Sequence, residues 1–206
     1  MMRLALLLVG AFLISAAAPA QPEKLPFKLP QPKGWAGEVI DLPPKGFAPD
    51  MTWKGKEEIR FAPGMFKADA PDFFSYALLF WLPADQKTDA KTLERELLTY
   101  YRGLAKTVLA SKKQDVDPKA ITLTLKEAKE KPGKRATGET FTAHTGELQW
   151  VEPFATQKPQ TLRFEIHIWH NEKHKHHCVF ICASPQPDTA EVWKQLREIR
   201  DGTTFP

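Results

Sequence analysis

From residue 36 onward, hydrophobic and polar positions follow two periods, and the switches between them mark the elements. In "DFFSYALLFWL", residues 72–82, apolar side chains fill both alternating sets: Phe74, Tyr76, Leu78 and Phe80 on one, Phe73, Ala77, Leu79 and Trp81 on the other. A strand of that composition needs cover on both faces. The next stretch, "TDAKTLERELLTYYRGLAKTVLAS", places Leu93, Leu97, Tyr100, Leu104 and Val108 at helical spacing behind a cap at Thr88 or Asp89. That spacing predicts a helix over about 89–110, with Glu94, Arg95 and Lys106 on its solvated side. Period two returns in "AITLTLKEA", "RATGETFTAH", "GELQWVEP", "TLRFEIHIWH" and "HHCVFICAS", with a turn at "KEKPGK", which predicts an antiparallel meander. A last helix over about 188–201 follows from the stripe of Val192, Trp193, Leu196 and Ile199. Asp188 and Glu191 are spaced as a capping box ahead of it, and Gly202 stops it. Earlier in the chain, "GEVIDLPPKGFAPDMTWKGKEEIRFAPGMF" is broken by Pro and Gly into brief strands near 37–42 and 57–61.

Strands, a helix, more strands and a final helix predict an α+β domain: a curved antiparallel β-sheet packed by two main helices, about 89–110 and 188–201. The order, with a Trp-containing helix after the last hairpin, is similar to that of Mog1/PsbP-like domains. The segments "RFAPGMF…DFFSYALLFWL" and "EPFATQKPQTLRFEIHIWH" resemble an uncharacterised family of exported bacterial proteins. These resemblances span most of residues 36–204 and imply a fold and export, with no catalytic motif to carry over.

The first twenty residues read as a secretory signal: Arg3 as a positive start, "LALLLVGAFLI" as the apolar segment and "APA" as the cleavage site. Cleavage is expected after Ala20, because a cut after Ala18 would put Pro19 directly behind the scissile bond. No cysteine follows to take a lipid, so the mature chain is expected to be periplasmic or extracellular and non-lipidated. The apolar run is shorter than the ~20 residues of a membrane-spanning helix, which argues against stable insertion after cleavage; an uncleaved anchor is the alternative. Residues 21–35, "QPEKLPFKLPQPKGW", lack periodicity and predict an extended arm, leaving 36–206 as one α+β domain. A net charge of +4 is mild, and the lysines are interspersed with acids, so nucleic acid is excluded as a partner.

Candidate chemistry concentrates in "HIWHNEKHKHHC", residues 167–178, which contains five histidines and one of two cysteines. With "NEKH" as the turn, His167 would lie opposite Cys178, with His176 a diagonal neighbour. Two imidazoles and a thiolate suit Zn²⁺ or Cu, with water, Glu165 or another chain in the fourth place. The competing reading is a solvated hairpin tip, to which His170, His174 and His177 would belong. Cys178 and Cys182, four residues apart on one strand, are separated by ~13 Å and cannot pair, so both are expected as buried free thiols. Acid–base candidates are Glu165, His167, His144 and Glu147, but no nucleophile elbow accompanies them, and Ser184 precedes a proline. The six tryptophans are expected in the core, with an aromatic ligand pocket as the alternative. These readings converge on an exported binding or interaction module of the cell envelope, for a small molecule or an envelope protein. A periplasmic metal-binding protein using His167, His176 and Cys178 comes second, and an envelope hydrolase third.

Overall fold

A computed structural model describes residues 25–127 and 133–206; the expected signal segment and most of the turn expected at 129–134 lie outside them. Among the described residues, two antiparallel meanders join into one eight-stranded sheet. The first comprises β1 (Ala36–Leu42), β2 (Gly55–Phe61) and β3 (Tyr76–Pro83). The second comprises β4 (Thr122–Glu127), the short β5 (Gly133–Lys134), β6 (Thr140–Val151), β7 (Pro159–Asn171) and β8 (His176–Ser184). The order across the sheet is β1-β2-β3-β8-β7-β6-β4, with β5 paired to β6. The two segments expected as separate strands, "RATGETFTAH" and "GELQWVEP", contribute to a single β6, because Gly146 continues the β-ladder instead of breaking it.

The doubly apolar β3 is central, with β2 on one edge and β8 on the other. Its Tyr76, Leu78, Phe80 and Leu82 point into one core and its Ala77, Leu79 and Trp81 into a second. The first core is covered by α1 (Ala90–Ser111), which Asp89 caps by accepting from Thr92 N at 3.0 Å. The buried helical stripe runs through Leu93, Leu97, Tyr101, Ala105 and Leu109, so Leu104 and Val108 sit at its margin. The second core is covered by α2 (Glu191–Asp201) and by the chain from residue 25, whose Phe27, Leu29 and Trp35 are buried. Lys28 pairs with Thr204 across that face, N to O at 2.9 Å. The capping box expected at Asp188 is not formed. Helix α2 starts at Glu191 with Ala190 as its N-cap and no side-chain cap, too late for Asp188 to reach the first turn. All six tryptophans are buried in these cores. No described helix is long and apolar enough to cross a membrane.

Candidate functional site: an apolar cavity with a buried carboxyl

The histidine-rich hairpin has the expected faces but a different register. Asn171 Oδ1 accepts from His174 N at 2.9 Å and Lys175 takes a left-handed backbone (φ 55°), so the turn occupies 172–175, one residue later than expected. Each pair therefore moves by two: His167 lies opposite Phe180, and Trp169 opposite Cys178. His167 stacks on Phe141 at 3.9 Å and its Nε2 is 3.4 Å from Arg200 Nη1. Burial first, and then Arg200, push its pKa down to about 3. His176 instead stacks flat on Trp81 at 4.5 Å, with Nδ1 2.6 Å from His174 O. Cys178 and Cys182 are free and buried; burial raises both thiols, Cys182 to about 12, which disfavours the thiolate a metal requires. Among the described residues, no three His, Cys, Asp or Glu side chains are grouped to hold a metal. His170 and His177 meet ring to ring at 5.0 Å near the tip, and His177 Nε2 is 3.2 Å from Ala84 O.

The acid–base candidates are also apart. Arg197 grips both oxygens of Glu165, at 2.5 and 3.0 Å, and Arg200 approaches at 3.4 Å, so this carboxylate serves to fasten α2 to β7. His144 is buried on β6 while Glu147 belongs to its exposed face. Ser184 is a buried residue of β8 whose hydroxyl lies 2.7 Å from that of Ser75.

The arrangement with chemical potential lies on the α1 face, where residue-by-residue reading found no motif. Strand β2 reads "GKEEIRF", and alternation puts Glu57 on the same side as Ile59 and Phe61, under α1. There it lines a cavity of ≈ 350 Å³, within the ~300–1,000 Å³ range of small-molecule sites. Glu38 and Ile40 of β1 form one side of the cavity, Tyr100 and Leu104 of α1 another, and Met65, Phe66 and Phe74 of the β2–β3 connection a third. Phe47, Tyr76 and Phe154 complete the wall. Phe74 holds a left-handed backbone at φ 48°, a conformation a bulky side chain adopts only when its surroundings enforce it. Its ring sits 5.8 Å from that of Phe154, which also contacts the exposed ring of Phe66 at 5.6 Å.

Glu57 is 1% exposed. Tyr100 donates its hydroxyl to Oε1 at 3.0 Å, and Oε2 has no hydrogen-bond partner among the described residues. Burial pushes the carboxyl up to about 8, opposed by the Tyr100 hydrogen bond and reinforced by Glu38. Beside it the Tyr76 and Tyr101 hydroxyls share a hydrogen bond at 2.5 Å, so Tyr100 supplies the polar contact to the acid. A neutral carboxyl in an apolar chamber can donate or, once ionised, accept. The signal that could have flagged it is Glu57 itself, an acid in phase with the buried positions of a strand next to doubly covered β3.

No family model and no curated protein matches the chain. Among solved structures, cyanobacterial PsbP (CyanoP) from Synechocystis sp. PCC 6803 is similar, with a TM-score of 0.40 and 10% identity over 88% of this chain and 87% of that one. A likeness of this degree says nothing about what the cavity holds. The other depressions differ in kind. A cleft of ≈ 250 Å³ beside α2 is lined by Lys126, Glu147, Arg163, Glu165 and Asp188, and its Glu165 is already engaged by arginines. The α1-face cavity combines predominantly apolar walls with a buried carboxyl oxygen that has no hydrogen-bond partner among the described residues.

Proposed function

We propose that the protein is an exported binding module that holds a small, largely apolar molecule in the cavity under α1. The observation carrying this reading is the buried Glu57 Oε2, with no hydrogen-bond partner among the described residues, inside an aromatic-walled chamber. An unmatched buried polar atom is unfavourable unless something else supplies its hydrogen bond, and a bound ligand would do so. Export rests on the "MMRLALLLVGAFLISAAAPAQ" pattern. The neutral dye N-phenyl-1-naphthylamine should gain fluorescence on mixing with the protein. Leu104→Trp, which fills the chamber from the half-buried margin of α1, should abolish the gain, with retention of the fold checked by the melting curve. Equal fluorescence with both proteins would place the dye elsewhere and overturn the cavity reading. For export, N-terminal sequencing of the mature protein should begin at Gln21, and a chain starting at Met1 would overturn that part.

A further inference from the structure

Charge complementarity narrows the occupant. Among the described residues lining the cavity, the charged ones are Glu38 and Glu57, both acids, and no Lys, Arg or His accompanies them. Glu38 is exposed and Glu57 is buried, so one carboxyl stands toward the opening and the other within. Between them are aromatic walls, including Phe47 packed edge-on against Tyr100 at 4.9 Å. Acids at both depths, a buried oxygen with no donor and ring faces nearby all favour a positive head on an apolar body. Rings attract cations through their quadrupole, most strongly where water is excluded.

Building on the cavity reading, we infer that the ligand is a primary ammonium ion carried on an alkyl or arylalkyl chain, its N–H groups donating to Glu57 and its body filling the aromatic chamber. A carboxylate ligand would meet Glu38 at the opening with like charge. A neutral alcohol could bond Glu57 but would leave the charge preference of the site unused.

The protons balance in a way that can be read. In the free protein at neutral pH, Glu57 carries its proton, because burial holds its carboxyl high. An arriving ammonium keeps its own proton and favours the carboxylate, so Glu57 releases one proton to solvent for each amine bound. The groups facing Glu57 are Glu38 on β1, Tyr100 and Tyr101 on α1 and Tyr76 on β3. All three tyrosines are raised further above neutrality by burial and stay protonated.

The test compares three probes of equal carbon count, 4-phenylbutylamine, 4-phenylbutanol and 4-phenylbutanoate, by titration calorimetry at pH 7 in two buffers of different ionisation enthalpy. The amine is expected to bind at least about tenfold tighter than the alcohol, with the carboxylate weakest. The buffer comparison should show release approaching one proton per amine and none for the alcohol. Glu57→Gln should remove the preference for the amine and leave the alcohol within about twofold. Equal affinity for amine and alcohol, tighter binding of the carboxylate, or no proton release would overturn the ammonium assignment while the cavity reading stands. Failure of all three probes to bind would remove both. If Glu57→Gln does not fold, proton release by the unaltered protein decides the matter.

Discussion

Glu57 and Glu58 are adjacent in sequence, on the same strand and both buried, yet they live in opposite chemical surroundings. Alternation turns Glu58 to the α2 face, where it is paired with Arg60, which also donates to Ile59 O at 3.0 Å and Leu29 O at 3.2 Å. It turns Glu57 to the α1 face, where one tyrosine hydroxyl is its partner. Glu96, a buried residue of α1 itself, shows what a fully satisfied acid looks like on that face. It accepts from Thr52 N at 2.8 Å, Thr52 Oγ1 at 2.7 Å and Arg95 Nη2 at 2.6 Å. Burial opposes its charge, but these hydrogen bonds prevail and hold it below the usual carboxylate range. On the α2 face the acid is held in an ion pair with a base, although Arg60 Nε, Arg135 Nε and Trp169 Nε1 are themselves buried without a hydrogen-bond partner among the described residues. The α1 face leaves Glu57 with one carboxyl oxygen unpartnered among the described residues beside a cavity of ≈ 350 Å³.

The sharpest way to break this contrast is to unpair the structural acid. Glu58→Ala strands the Arg60 guanidinium in the α2-face core and is expected to destabilise by about 4 kcal/mol in denaturant unfolding. A loss below about 1 kcal/mol would mean that Arg60 swings to solvent and that the α2-face acid is no more firmly held than its counterpart. Trp193→Ala opens a cavity in the same core and removes the indole that donates to Gln186 O at 3.0 Å. About 3 kcal/mol is expected, read as a drop in melting temperature. No drop would show that α2 is a removable cover.

The α1 face should respond to pH instead. Glu57 has a folded value near 8 against an ordinary 4.5, so folding takes up a proton between those limits. Its contribution is fully present below about pH 4.5, declines by about 1.4 kcal/mol per pH unit through the window and levels off above about 8. Between pH 5.5 and 7.5 the parent should therefore lose about 2–3 kcal/mol relative to Glu57→Gln. Parallel stability curves would show that the carboxyl is solvated after all. The smallest effect concerns the hairpin. Since His167 is held between Phe141 and Arg200, His167→Ala should change Zn²⁺ affinity by less than about twofold, measured by calorimetry beside His174→Ala. A loss confined to His167→Ala would restore a shared site with Cys178 and His176.

Much of the architecture was legible because period is robust to small errors. The double alternation of 72–82 located the central strand, although 72–75 turned out to be a turn that precedes it. The spacing of Val192, Trp193, Leu196 and Ile199 located α2. The faces of the β7–β8 hairpin were readable for the same reason: moving the turn by one residue shifts every pair by two and preserves which side each residue occupies. Partner identity is less robust, because it depends on whether Asn171 begins the turn or ends the strand, and one side-chain hydrogen bond to His174 N decided that. The cavity was not legible as a motif. It is assembled from β1, β2, α1 and two connections, and the chemistry lies in the absence of a partner, which spacing along one segment does not encode.

The join between the two meanders also governs how the chain reaches this state. Strand β3 finds β2 nearby, but its other edge pairs with β8, Tyr76 opposite Ala183, more than a hundred residues later. Until β8 arrives, the most apolar strand presents an unsatisfied row of amides and carbonyls to whatever is near, including the same edge of another copy. Synthesis from the N-terminus leaves this edge unpartnered until residues 176–184 are available. Closing so long a loop raises the entropic cost of forming the β3–β8 pairing, which is expected to slow folding.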